Sequence, residues 1–276
     1  MQNYSKILNV VSNEIFLLKK EIFSDIDADG RVIEFLNSPS KHIRPVLSFL
    51  YLKAAGQKIN ETQITYLAAI ELVHNASLIH DDVIDESEIR RGQNSLNKDL
   101  GNKLAVISGD YLLSLALKKV ISLGNLELID MFCKTLANMT KGEISQCFSR
   151  FEIPSLEDYL KKTEQKTAEL FDLSLKGSLK IAGYDEKNDF AKNYGMAFQI
   201  KDDLNNHYTT KTDIKDGIYT APVIFSGGIE VSDYGLEKTR ILLNNYVEKA
   251  EDSVKLLKDS VYKEALSDLL KGLKDG

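Results

Sequence analysis

Tyr66-Leu67-Ala68-Ala69-Ile70-Glu71-Leu72-Val73-His74-Asn75-Ala76-Ser77-Leu78-Ile79-His80-Asp81-Asp82-Val83-Ile84-Asp85 is the stretch whose reading decides the fold. Its first eight residues are apolar on nearly every face of a helix. Such a helix is stable only inside a bundle of other helices. The polar residues that follow then need a reason, because a polar group in that setting must be paired or must line a cavity. His74, Ser77, Asp81 and Asp85 step by three, four and four, so they form one polar stripe.

Outward from this stretch, helical periodicity continues and alternating strand patterns are nearly absent. Helices are expected over 5–23, 42–56, 62–87, 102–122, 124–149, 155–183, 187–207 and 232–274. The four prolines, Pro39, Pro45, Pro154 and Pro222, fall between these segments or near their starts. Ser155 followed by Glu157-Asp158 reads as a helix start, and Gly183 as a stop. No repeat, low-complexity linker or composition shift interrupts the chain. The expected fold is therefore all-α, a single large helical bundle over 1–276, with 256–274 as an amphipathic helix that caps it.

Composition narrows the function classes. The chain has 276 residues, 43% apolar and 28% charged, with 35 basic and 41 acidic side chains and a net charge of −6. A disordered polyelectrolyte is excluded, and no basic patch points to nucleic acid as a partner. Cys133 and Cys147 cannot build a disulfide framework and are expected as buried thiols in a reducing compartment. In residues 1–20 the apolar run Ile15-Phe16-Leu17-Leu18 is too short for a signal-peptide core, and charges flank it. No stretch of about eighteen apolar residues occurs, so a cytoplasmic location is expected.

The chemistry-bearing residues fall in three groups. Asp81, Asp82 and Asp85 crowd three carboxylates at one helix end, where they repel one another unless cations intervene. Oxygen-only ligands suit Mg²⁺, which keeps one or two carboxylates and takes its remaining ligands from substrate phosphate. A second acidic group, Asp202-Asp203, ends another apolar-periodic helix, where Gly195, Gln199, Asp202 and Asn206 form a second polar stripe. Two such helices can face each other across a cavity. Basic residues gather at nearby helix ends: Lys41 and Arg44, then Arg90-Arg91, then Lys166-Thr167, which interrupts an apolar row. Carboxylates and cations sharing one cavity suit a polyanion held partly through metal and partly through Lys and Arg. No Ser/His/Asp or Cys/His constellation is present. His42 and His80 read as structural, and His207 as a surface residue.

The segment Glu71-Leu-Val-His74-Asn-Ala-Ser77-Leu-Ile-His80-Asp81-Asp82-Val-Ile-Asp85-Glu-Ser-Glu-Ile-Arg90-Arg91-Gly92 resembles the first aspartate-rich motif, with its trailing arginine pair, of the trans-prenyl diphosphate synthases, the all-α polyprenyl synthetases. The likeness runs from Lys41 to about Pro222. It implies an isoprenoid-synthase bundle around a central cavity and a homodimer. The implied reaction condenses isopentenyl diphosphate with an allylic diphosphate and elongates the chain. By the same resemblance, Asp81, Asp82, Asp85, Asp202 and Asp203 hold about two to three Mg²⁺ ions. These five aspartates and Lys166 carry the catalysis. Arg90, Lys166, Thr167, Gln199, Lys201 and Lys211 attend the allylic diphosphate, and Lys41, Arg44, His74 and Arg91 hold isopentenyl diphosphate. Three departures stand out. Asn206 replaces the third aspartate of the second motif, Ser40 a usual glycine, and Ile218 the lysine of a Gly-Lys pair, so one diphosphate-contacting lysine is missing.

Ala76 and Ser77 lie about one helical turn before Asp81 and are small. Short-chain members of the family often carry an aromatic floor there, so a product of about twenty carbons or more is expected, one that a membrane would receive. Its floor is expected around Tyr111-Leu112 or Phe132. The alternatives are a short-chain farnesyl or geranylgeranyl synthase and a catalytically weak regulatory subunit, the latter suggested by Asn206 and Ile218. A terpene cyclase is disfavoured, because Lys41, Arg44 and Arg90-Arg91 would have no second diphosphate to hold.

Overall fold

The structure is a computed structural model and describes residues 2–184 and 189–274. Its helices are α1 (Gln2–Val10), α2 (Ser12–Phe23), α3 (Gly30–Asn37), α4 (Ile43–Ala54), α5 (Glu61–Ile84), α6 (Leu96–Leu100), α7 (Asn102–Ser122), α8 (Leu126–Phe148), α9 (Leu156–Thr163), α10 (Glu169–Ile181), α11 (Phe190–Tyr208), α12 (Thr212–Lys215), α13 (Ala221–Ser226), α14 (Asp233–Lys255) and α15 (Val261–Lys274). The strands among the described residues are β1 (Ile89–Arg90) and β2 (Gln93–Asn94), which pair antiparallel. The all-α expectation holds. The expected helix over 187–207 begins at Phe190, and residues 187 and 188 lie outside the described residues.

α5 runs through the middle of the bundle because its sequence gives it no face for water: Tyr66 to Ile70 and Leu72 are fully buried. A reciprocal capping box starts it. Asn60 accepts from the Gln63 N–H at 3.0 Å while the Asn60 N–H donates to Gln63 Oε1 at 2.9 Å. Its polar side chains are satisfied across the core. Gln63 donates to the Ser178 carbonyl, and Tyr66 Oη to the Leu173 carbonyl at 2.9 Å. The tyrosine reaches α10 only because residue 177 is glycine, where a Cβ would stand 2.1 Å from Tyr66 Oη. α7 lies along α5, α10 and α4 pack beside it, and α11 packs between α10 and α14.

The expected helix over 155–183 is interrupted. Ser155 caps α9 by accepting from the Asp158 N–H at 3.1 Å, and Gly183, at φ 70°, ends α10. Between them Glu164–Ala168 forms a π-helical turn. Such insertions leave the apolar period nearly intact, so the sequence pattern passes over them, and they often mark functional positions. The C-terminal segment is also two helices, and α15 buries Leu266, Leu269, Leu270 and Leu273 against α4, α1 and α14. The first expected helix breaks at Val11. Cys133 and Cys147 are exposed, not buried, because the inward face of α8 is the one carrying Leu128, Phe132, Thr135 and Gly142. Among the described residues, no helix is long and apolar enough to cross a membrane.

Candidate active site

Three adjoining cavities open around the C-terminal ends of α5 and α11 and the π turn. An apolar one, of about 200 Å³, is walled by Val73, Ala76, Ser77, Leu113, Leu136 and Met139. Asp81, Glu143 and Lys166 also line it. A polar one, of about 150 Å³, is lined by Asp85, Lys166, Thr167, Gln199, Asp203 and Ile218, among others. A basic one, of about 310 Å³, gathers Lys41, Arg44, His74, Arg90, Arg91 and Phe198. Lys166 belongs to both of the first two, and the π turn is what carries it there.

The second acidic cluster is built by a relay. Thr167 Oγ1 donates to Gln199 Oε1 at 2.9 Å, Gln199 Nε2 donates to Asp203 Oδ1 at 2.9 Å, and Tyr159 Oη donates to Asp203 Oδ2 at 2.5 Å. α11 comes close enough for this because residue 195 is glycine: a Cβ there would lie 2.8 Å from Ala168 Cα. Burial raises the Asp203 carboxyl above its usual range although both donors pull it down. Its neighbour Asp202 stands outside the lining of the polar cavity, within electrostatic reach of Lys41. Loss of hydration, and then Asp203, push it up to about 6.

The three aspartates of α5 separate. Burial pushes Asp81 up to about 6, with Glu143 and Asp85 adding to the rise and Lys166 opposing it. Asp82 is turned into the protein, 1% exposed, where it accepts from Arg90 Nε at 2.9 Å. It therefore lines none of the three cavities. Asp85 accepts from Arg150 Nη2 at 2.6 Å. Among the described residues no three His, Cys, Asp or Glu side chains converge as a metal cluster. The donors nevertheless suit a hard divalent cation. They are carboxylate oxygens, and loss of hydration holds Asp81 and Asp202 well above the usual carboxylate range, a cost that a bound cation would offset.

Arg90 and Arg91 lie in a hairpin, not on a helical turn. Arg91 and Gly92 adopt φ 54° and 78°, the geometry of a two-residue turn between β1 and β2. The turn sends Arg90 back to Asp82 and places it in the basic cavity rather than beside the polar one. Arg91 donates to Ser38 Oγ at 3.0 Å and Asn75 Oδ1 at 3.2 Å. Arg44 is buried over the Phe171 ring, 4.5 Å from its centroid. Its Nε has no partner, and burial lowers its guanidinium to about 10. Burial, then Arg44 and Arg91, hold the His74 imidazole well below its ordinary value, so it is neutral at pH 7. His42, at φ 46°, pairs through Nδ1 with Glu71 Oε2 at 2.6 Å and so starts α4 beside this cavity. His80 contacts the Val106 carbonyl, as a structural histidine would.

Two expected allylic-site lysines lie elsewhere. Lys201 Nζ donates to the Gly272 carbonyl of α15 at 2.6 Å, because it stands about 100° round the helix from Asp202. Lys211 is exposed, in a left-handed conformation (φ 53°), just after α11. Asn206 donates to Thr212 Oγ1 at 2.7 Å and holds the α12 loop instead of facing metal. Ala76 and Ser77 do line the apolar cavity. Its far wall is Leu113, Leu136 and Met139, not Tyr111-Leu112 or Phe132. Glu143, Arg150, Tyr159, Lys162 and Asp213 were not anticipated. The spacing Leu136, Met139, Glu143 was the available sign, a charge interrupting an inward row.

The sequence model of the polyprenyl synthetase family matches residues 30–264. A prenyl transferase of Cyanidium caldarium is 33% identical over 247 residues, spanning 82% of this chain and 76% of that protein. The decaprenyl-diphosphate synthase of Dictyostelium discoideum is 32% identical over 263 residues, and the match covers 82% of this chain and 58% of that protein. The chain thus spans between about half and three quarters of the length of such relatives. Among solved structures, a decaprenyl diphosphate synthase from Rhodobacter capsulatus has the same fold, with a TM-score of 0.89 at 22% identity over 99% of this chain and 98% of that one.

Proposed function

Because this chain belongs to the polyprenyl synthetase family, we propose that it is a Mg²⁺-dependent prenyltransferase that condenses isopentenyl diphosphate with an allylic diphosphate. Its product has about twenty carbons or more, set by the depth of the apolar cavity below Asp81. One observation carries the reading. Lys166 and Asp81 stand where an apolar cavity adjoins a charged one, with a separate arginine-rich cavity alongside. A molecule with a polyanionic head and a greasy tail, meeting a second polyanion, fits that arrangement.

Asp81, with Asp85 and Asp202, would hold the metal, which when bound supplies charge for a departing diphosphate in a site shielded from water. Lys166, Thr167 and Gln199 attend the allylic diphosphate head, and Asp203 orients Gln199. Asp82 acts through Arg90, which it positions. Arg44, Arg91, Lys41 and neutral His74 take isopentenyl diphosphate, and the unpartnered Arg44 Nε is supporting evidence, since an anion would complete it. Leu113, Leu136 and Met139 exclude water from the growing tail. The proposal extends to the whole chain as one synthetase domain, to a cytoplasmic homodimer and to passage of the product to a membrane. Leu104, Ile107 and Ile121 on α7, exposed and apolar, support the dimer.

Ile218 in the polar cavity favours a second reading, a weak subunit that needs an active partner. One experiment separates the two. The purified chain is incubated with Mg²⁺, farnesyl diphosphate and labelled isopentenyl diphosphate, and the products are chromatographed. Elongated product from the chain alone supports the proposal. Its absence, with recovery on adding an active synthase, supports the subunit.

A further inference from the structure

The polar cavity holds a lysine that no carboxylate engages directly. Lys162 is the penultimate residue of α9, one turn before Lys166, and lines the cavity with Lys166, Asp203, Asp213 and Ile218. The neighbouring cations are engaged: Lys166 Nζ by Glu143 at 2.5 Å, Arg150 by Asp85, and Lys201 by the Gly272 carbonyl. Lys162 makes no hydrogen bond or ion pair among the described residues. Asp203, whose oxygens already accept from Tyr159 and Gln199, and Asp213 favour its charge from across the cavity without a direct contact. A half-buried ammonium has three donors to satisfy, and leaving them unmet inside a cavity is costly. An anion entering the cavity would meet those donors. At position 218 the same cavity is walled by an aliphatic side chain, which offers such an anion nothing.

We infer that Lys162 binds the diphosphate of the allylic substrate, supplying from α9 the cation that Ile218 does not. Lys162 at the end of α9 and Lys166 in the π turn both line this cavity, so two ammonium groups border one space. A diphosphate, with two linked phosphoryl groups, is the simplest anion that engages both. The inference rests on the prenyltransferase reading and deepens it.

The test uses the full chain and four variants: Lys162→Met, Lys162→Gln, Lys162→Arg, and Lys162→Met combined with Ile218→Lys. With Mg²⁺ present, loss of one charge-assisted contact raises the KM for farnesyl diphosphate by about tenfold to a hundredfold. The KM for isopentenyl diphosphate stays unchanged. Lys162→Arg keeps most of the affinity, and Ile218→Lys restores it in the Lys162→Met background. A merely structural role would move both KM values together and would not be rescued from position 218, so either outcome overturns the inference. Calorimetric binding of inorganic diphosphate with Mg²⁺ keeps the two readings distinguishable. If the wild type binds diphosphate but makes no product, the enzyme proposal fails while Lys162 is still judged. Equal diphosphate affinity in wild type, Lys162→Met and Lys162→Gln overturns the inference whatever the activity.

Discussion

Replacing Ala76 with phenylalanine tests the apolar cavity directly. Ala76 is 3% exposed and forms part of the cavity wall together with Val73 and Leu136. It lies five residues before Asp81, so at 1.5 Å per residue the new ring enters about 7.5 Å below the acidic end of α5. Small-to-large changes in a filled core cost about 1–3 kcal/mol. Here the ring has an open cavity of about 200 Å³ to enter, so the cost falls at the lower end. The effect on the product is larger. Each isoprene unit has five carbons, and at about 0.8 kcal/mol per buried methylene a unit refused entry forfeits about 4 kcal/mol. That is a factor of about a thousand against elongation past the plug. Products of the Ala76→Phe variant, separated by chain length, should therefore stop at least one unit shorter than those of the wild type, with the first condensation proceeding normally. An unchanged longest product at comparable turnover would refute the reasoning, because the tail would not be running through this cavity.

Three further outcomes are expected. Asp81 has its carboxyl raised to about 6, so the native state holds a proton that the unfolded chain has already released. Wild-type stability measured against Asp81→Asn should accordingly fall as pH rises from about 4 to 6 and then level off, by at most ~3 kcal/mol. Denaturant midpoints across that range check it, and Mg²⁺ at pH 7 should raise the melting temperature of the wild type more than that of the variant. Tyr159→Phe removes a donor from a carboxylate that is 4% exposed, costing about 1–3 kcal/mol in urea unfolding and lowering turnover through a displaced Gln199. Gly195→Ala drives a methyl group against Ala168, 2.8 Å away. It should cost about 1–3 kcal/mol and weaken farnesyl diphosphate binding by shifting the π turn.

What could be read from the sequence follows from how long and how regular each pattern is. α5, α7 and α8 are long and periodic, so their presence and limits were legible to within about three residues. α3, α12 and α13 are each eight residues or fewer and leave no periodic trace. The arrangement of the site was partly legible, because stripes such as His74-Ser77-Asp81 and Gly195-Gln199 assign residues to one helix face. Adjacent residues diverge by about 100°, however, and that separated Asp82 from Asp81 and Lys201 from Asp202. The pairing of Asp85 with Arg150, 65 positions on, joins elements that only the packed bundle brings together. Arg91 at positive φ is a backbone choice that residue type does not announce.

The hairpin has one consequence for how the cavities can change. Arg90 clamps the acid end of α5 through Asp82, and the very next residue reaches Ser38 and Asn75 on the basic side. Two neighbouring guanidiniums on one tight turn therefore act as a buckle that ties the hairpin to α5 at two points, Asp82 and Asn75, and to Ser38 at the end of α3. The basic seat cannot slide along α5 without dragging the hairpin and the end of α3 with it.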